Sequence, residues 1–530
     1  MRAFIRAAAF RLRGRGWRVP AYSGSAAALL MFVRLFVPHA VGMANNGDAV
    51  RLMCHLGAAP DSPPTPSAKW FFARFWYRLD PPLKCPGYPT SEILPMRATA
   101  WVHKHVLGLS GVVDLRELAV EYCVLVGLVI AGFALLLASV RLRTRVGLLC
   151  ALFLVLSEAT FADYAASPYS ETAALWGLVV AALAGVAVVA RTRYWRAAYI
   201  LAWAAAVYAV GAKNETMTLA IPLALLLGTR RFELLPNGLA LPARGGAILR
   251  RVTERLVPAA CVLTLALTAS WSLSSESAAD AQINFGNELT MTIMPLSSDP
   301  DLVATELGLP ASFGKYSGTT WWGTPAIHDD PQFLHYAKKF TDANLAQFFA
   351  RNPALSARVF AGGAPSYLDF RNNNLGTYPQ HAGYAPESQE CRDCVFESVS
   401  HALSWTGFAG IVAYWLACVG AAVWLIRIST ARTLRRGFAH SALMLIGCTL
   451  IQYTTAVYGE GNEVTKHLVV GLFSACLAPV LLGAGALVGR PAQARIPQQP
   501  QPVQQPETVQ QPRSADYAEA EKETAVAQPQ

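Results

Sequence analysis

The sequence predicts an all-α membrane protein with about ten transmembrane helices and two large extracytoplasmic loops. Three observations predict it. The chain is 53% hydrophobic and only 15% charged, whereas a soluble protein carries about a quarter charged residues. Its apolar residues are gathered into runs long enough to cross a bilayer, roughly 17–25 residues. Its arginines recur between alternate pairs of runs.

The long runs are Ser23–Met43, Leu118–Val140, Glu171–Ala190, Leu256–Leu273, Trp405–Ile426 and His467–Val488. Shorter or interrupted runs lie at Val146–Phe161, Ala197–Gly211, Thr216–Leu227 and Ala442–Val457. The first run follows Arg2, Arg6, Arg11, Arg13, Arg15 and Arg18, which hold the N-terminus in the cytoplasm by the positive-inside rule. Ten spans threaded from there place Arg141–Arg145, Arg191–Arg196, Arg230–Arg255 and Arg427–Arg436 on the same side. The three short outer loops carry only Lys213 and Lys466 as basic residues. The net charge of +10 is thereby explained as a topology signal, without nucleic acid. Both termini fall in the cytoplasm of a multi-pass protein of the cell membrane. Ser23–Met43 reads as an uncleaved span, because no small-residue cleavage site follows it.

The domain organisation follows. Residues 1–22 are a basic tail. Residues 23–273 form an N-terminal transmembrane module, with a first outer loop at 44–117. A second outer loop occupies 274–404, C-terminal spans occupy 405–488, and 489–530 is a Pro/Gln-rich tail of disordered composition. In the first loop, aromatic and basic residues interleave from Trp70 to Tyr77, which suits the lipid–water interface. Ser67–Leu79 and Ile93–Leu107 are predicted as interfacial helices. The second loop is predicted to hold a helix pair, Pro331–Ala350 and Pro353–Ala361, ahead of an irregular stretch at Asn372–Asn374.

Six of the ten cysteines lie within spans, where they serve as small apolar residues. Cys54, Cys85, Cys391 and Cys394 all fall outside, in an oxidising space, and are expected as disulfides. Cys54–Cys85 would staple the first loop and Cys391–Cys394 would close locally; crossed pairs are the alternative.

Four polar segments end apolar runs on the outer side. The first is Asn45–Asp48 with Arg51, where Asn46 and Arg51 are substrate-binding candidates. Asp48 either caps a helix or acts as a base, its acidity tuned by apolar surroundings. The second holds Asp163, Tyr169 and Glu171; Glu171 in a helix's first turn also suits the dipole. Lys213, Asn214 and Glu215 interrupt an apolar stretch, either as a tight turn or as functional ionisable groups near membrane depth. The last segment holds Glu460, Glu463, Lys466 and His467. Lysines in these places can meet phosphate as point charges. The specific feature is the recurrence of carboxylate, amide and lysine at the outer ends of separate spans.

With an acid just after the first span, a large first outer loop and further acids on later outer loops, the chain resembles the GT-C superfamily of integral-membrane glycosyltransferases. Asn45-Asn46-Gly47-Asp48-x-x-Arg51 and Glu463-x-x-Lys466-His467 are similar to bacterial hexose transferases of surface-glycan assembly. The resemblance covers residues 20–490. It implies a polyprenyl-phosphate sugar as donor, an acceptor glycan or lipid, membrane lipids as surroundings, and Asp48 as base with Asp163 or Glu171 as the second acid. The acidic pair of several such families is absent at Asp48, flanked by Gly47 and Ala49. No metal ligand is therefore assigned, and a divalent cation stays an option. A lipid-linked-glycan flippase and a glycan polymerase or ligase are the alternative functions.

Overall fold

The computed structural model describes residues 17–44, 48–60, 71–79, 90–109, 111–233, 245–275 and 277–488, and for Asp48–Arg51 the backbone alone. The chain is mostly helical. Nine of the ten apolar runs fall largely on helices; the other, Ser23–Met43, overruns its helix, which ends at Phe36 and gives way to a strand at Gly42–Met43. Among the described residues, seven helices are long and apolar enough to cross a membrane, and a bent pair makes an eighth. These spans make it a multi-pass membrane protein.

The first span is α1, Arg18–Phe36. After it, α2 (Asp48–Leu56) and α3 (Ile93–His105) belong to the first loop, and α4 (Leu115–Leu136) returns. Helices α1 and α4 cross where Gly24 meets Gly127: a Cβ on either would lie 2.7 Å from the other's carbonyl oxygen. Ala28 and Ala131 flank the crossing. Small residues four apart let backbones approach closely where lipid gives no hydrophobic drive to associate.

Next, α5 (Leu142–Ser157) breaks at Glu158 and continues at an angle of 58° through Ala159–Ala166. Then α6 (Glu171–Ala190) runs through the centre, buried nearly all round. Its apolar residues show no polar stripe because no face meets water. Helix α7 (Trp195–Val210) packs against it through Gly177, Ala205 and Ala209. A 3₁₀ turn at Glu215–Leu219 leads into α8 (Ala220–Gly228); α7 and this segment are the two shorter apolar helices. Helix α9 (Gly245–Ser274) completes the N-terminal set.

The second loop carries α10 (Ala278–Asn287), α11 (Asp342–Arg351) and α12 (Pro353–Gly362). Three spans follow: α13 (Gly407–Arg427), α14 (Leu434–Gly459) and α15 (Val464–Leu487). The Ala442–Val457 run proves to be the core of the 26-residue α14. Arg435, Arg436 and His440 in its first two turns hide that length from hydropathy.

The two loops are joined to each other. Strand β1 (Gly42–Met43) at the end of the first span pairs antiparallel with β5 (Leu375–Thr377) of the second loop. Within the first loop, β2 (Ala58–Pro60), β3 (Trp76–Leu79) and β4 (Val112–Asp114) form a three-stranded antiparallel sheet.

That sheet corrects one expectation. The helix expected at Ser67–Leu79 is a strand where it is described from Trp76 on: Tyr77 is buried and its neighbours Trp76 and Arg78 are exposed, the two-residue alternation of a half-covered sheet. The helix expected at Pro331–Ala350 is likewise broken. Thr341 caps a new helix by accepting from the Asn344 amide, so α11 starts afresh at Asp342. The pieces at Ile93–His105 and Pro353–Gly362 form as expected. Cys391 and Cys394 are bonded to each other, and Cys54 is disulfide-bonded; Cys85 lies outside the described residues. The tail from Gly489 lies outside them too.

Candidate functional site

Three chain turns converge at the helix ends opposite the arginine-rich loops. The first enters α6, where Tyr169 and Glu171 are buried. The second joins α7 to the 3₁₀ turn. Here the Thr216 hydroxyl accepts from the Lys213 amide (2.8 Å) and donates to the Lys213 carbonyl (2.7 Å). Gln452 of α14 donates to the Glu215 carbonyl (3.0 Å) and to the Thr218 hydroxyl (2.9 Å). The turn is thus fastened both to itself and to a neighbouring span. The third joins α14 to α15 through Glu460–Glu463, with Glu463 in the left-handed region (φ 54°). A Cβ on Gly461 would run into the backbone of Asn287 and Glu288, so only glycine lets this turn lie against α10.

Between these turns lies a cavity of about 850 Å³. Tyr169, Glu171, Lys213, Asn214, Glu215, Glu460, Glu463, Lys466 and His467 all line it. Nine of the thirteen predicted site residues therefore share one space. Its wall is completed by residues the sequence did not single out: Asn284, Asn287, Trp322 and Phe349 from the second loop, and Tyr458 from α14. An exposed tryptophan and paired amides in a loop carry no periodic signal, so only the fold reveals their place.

The charged groups are closely paired. Lys213 Nζ lies 3.1 Å from Glu171 Oε1, 2.9 Å from Glu215 Oε1 and 3.0 Å from His467 Nδ1. His467 Nδ1 is 2.8 Å from Glu215 Oε1, and Nε2 is 3.5 Å from Glu460 Oε2. Nδ1 serves Glu215 as a donor or Lys213 as an acceptor, according to the ring's tautomer. Lys466 pairs with Glu463 at 2.7 Å and lies 5.6 Å from the centre of the Tyr169 ring.

Two carboxyls are driven apart in acidity. Burial pushes Glu215 up, but His467 and Lys213 beside it prevail and hold it well below the usual carboxylate range. Burial and the neighbouring Glu215 push Glu460 well above it, beyond what Lys213 offsets. Two neighbouring acids are thus pushed in opposite directions, an arrangement suited to proton transfer. Asn214 Oδ1 is buried with no hydrogen-bond partner among the described residues, an acceptor left for a ligand hydroxyl or water.

The remaining predicted residues lie elsewhere. Asn46 is outside the described residues. Asp48 opens α2 and Arg51 follows within it; Leu52, one turn on from Asp48, lines the cavity. Asp163 does not line it. Asp163 is fully buried between Arg34 (2.8 Å) and Arg371 (3.1 Å). Arg34 also pairs with Glu390, and donates to the Ser157 carbonyl at 2.7 Å. Asp163 thus ties the first span to the second loop across the bend of α5.

At one point in the cavity the donor types and their spacing match those of a metal site. Glu215, Glu460 and His467 present ligand atoms within 4.8 Å of one another. Cys391, Cys394 and Glu397 form a second such group, but its two sulfurs are already bonded to each other.

No curated protein and no solved structure matches the chain. A family model, YfdI N-terminal transmembrane domain, matches residues 25–492. The chain therefore belongs to the YfdI N-terminal transmembrane domain family.

Proposed function

We propose that the protein is a GT-C-type glycosyltransferase that moves a hexose from a polyprenyl-phosphate donor to a glycan or lipid acceptor on the extracytoplasmic face. One observation carries the reading: acids, lysines and a histidine from three separate interhelical turns line one cavity at the ends of the spans. A transporter would be expected to place its ionisable groups near mid-membrane.

In this reading the polyprenyl chain lies against the spans and its phosphate enters the cavity. Lys466, and Arg51 from α2, are its cationic partners. Lys213, 3.1 Å from Glu171 and 2.9 Å from Glu215, holds both carboxylates in place. Asp48 takes the proton from the acceptor hydroxyl as that oxygen attacks the anomeric carbon. The bond to the phosphate oxygen breaks, polyprenyl phosphate leaves, and the anomeric centre inverts. General-base assistance of this type supplies about 10²–10⁴ in rate. Asp163, held by two arginines, positions the first span rather than touching substrate.

The test is transfer by the purified protein in proteoliposomes, using a panel of polyprenyl-phosphate hexoses and lipid-linked glycan acceptors. The reading expects a new glycosidic bond and release of polyprenyl phosphate. Movement of the intact lipid-linked sugar between leaflets, without bond formation, would make the protein a flippase instead.

A further inference from the structure

The cluster at the cavity's centre has the composition of a divalent-metal site and an ammonium in its midst. Carboxylates with an imidazole are ordinary ligands for zinc or manganese. Here the Lys213 Nζ is already within 2.9–3.1 Å of Glu215, His467 and Glu171. Those are hydrogen-bond lengths to an ammonium, and they use donor atoms that a metal would need. We propose that the Lys213 ammonium holds the place of a divalent cation among Glu171, Glu215 and His467, so that the site works with a covalently attached cation instead of a metal.

Three further features support the assignment. The ammonium is fixed, because the Lys213 backbone is tied at both its amide and its carbonyl to the Thr216 hydroxyl. The groups around it are secluded: the Lys213 side chain is 10% exposed and that of Glu171 3%. A second cation placed there would face the lysine charge with little solvent to screen it. A further carboxylate stands close by, since Glu460 Oε2 lies 3.5 Å from His467 Nε2, and Glu215, Glu460 and His467 present ligand atoms within 4.8 Å of one another. Removing the ammonium would leave Glu171, Glu215, Glu460 and His467 facing one another with no cation between them. A latent metal site should then open.

The test uses the purified full-length protein with Mn²⁺ as probe, measured by equilibrium dialysis and electron paramagnetic resonance. The wild type should bind no tight equivalent, and Lys213→Ala should bind about one, with affinity raised about tenfold or more. Adding Glu215→Gln to Lys213→Ala should abolish that gain. Lys213→Arg keeps a cation in place and should stay metal-free. Only the activity readout rests on the function proposed above: wild-type transfer should withstand a chelator, and the weak transfer of Lys213→Ala should rise with Mn²⁺. Should no donor be turned over, the binding measurements still decide. The proposal is overturned if the wild type binds an equivalent of Mn²⁺, or if folded Lys213→Ala binds no better than the wild type. Should Lys213→Ala fail to fold, metal binding to the wild type and to Lys213→Met decides between the same two outcomes.

Discussion

At the scale of single residues, the acids of this chain divide by what surrounds them. Asp163 is enclosed by Arg34 and Arg371 and is fully buried. Removing one partner of a buried pair costs about 3–5 kcal/mol, because the remaining charge is stranded. Asp163→Asn should therefore lower the melting temperature and the yield of folded protein, as read by thermal unfolding in detergent. Asp48 stands in the first turn of α2, where exchanging acid for amide loses only a dipole interaction of about 0.3–1 kcal/mol. Asp48→Asn should thus leave folding intact and reduce turnover by about 10²–10⁴. Near-full turnover in that variant would shift the base to Glu171. Both acids stood out in the sequence as polar residues closing apolar runs. Their different fates did not, because Asp163's arginines lie 129 and 208 residues away along the chain.

At the scale of elements, the helix end beside the cavity carries an unusual feature. The segment Glu288–Ile293, which continues α10, is a π-helix, and Glu288 is fully buried. Neither carboxyl oxygen has a hydrogen-bond partner among the described residues. Burial pushes this acid well above the usual carboxylate range, more than the nearby Thr292 hydroxyl offsets. An acid whose pKa is raised on folding holds its proton in the folded state after the unfolded chain has released it. Its contribution is whole below the ordinary carboxylate pKa of about 4.3 and is lost as pH rises toward the folded value, by about 1.4 kcal/mol per unit. Glu288→Gln removes that slope. The variant should be more stable than the wild type above about pH 5, and the gap should widen as pH rises from there. Parallel melting curves across that range would show that Glu288 ionises freely. Sequence reading placed the helices well because bilayer length and positive-inside charge act on local composition. It missed the β2–β3–β4 sheet, since alternation over four residues from Trp76 to Leu79 is too brief to outweigh an aromatic, basic context.

At the scale of the whole molecule, the cavity is the product of topology. Glu171, Lys213 and Glu460 come from turns that become neighbours only when the spans alternate in direction. The same alternation carries both termini to the cytoplasmic side if each apolar run crosses once. Single cysteines placed before Trp17 and after Gly489 should therefore resist an impermeant thiol reagent in intact cells and react once the membrane is opened. Labelling at only one end would mean that α7 or the Glu215–Gly228 segment does not cross alone. The second-loop residues Asn284, Asn287 and Trp322 were invisible as site residues because their role depends on the loop folding back over the spans. The central claim is that the lipid phosphate is bound in this cavity, and the most direct measurement is a cryo-electron microscopy structure with polyprenyl phosphate bound. The phosphate should lie beside Lys466 within the cavity, close to the start of α2, with its chain running down the spans. Phosphate density near mid-membrane, away from Glu171 and Lys466, would contradict the account.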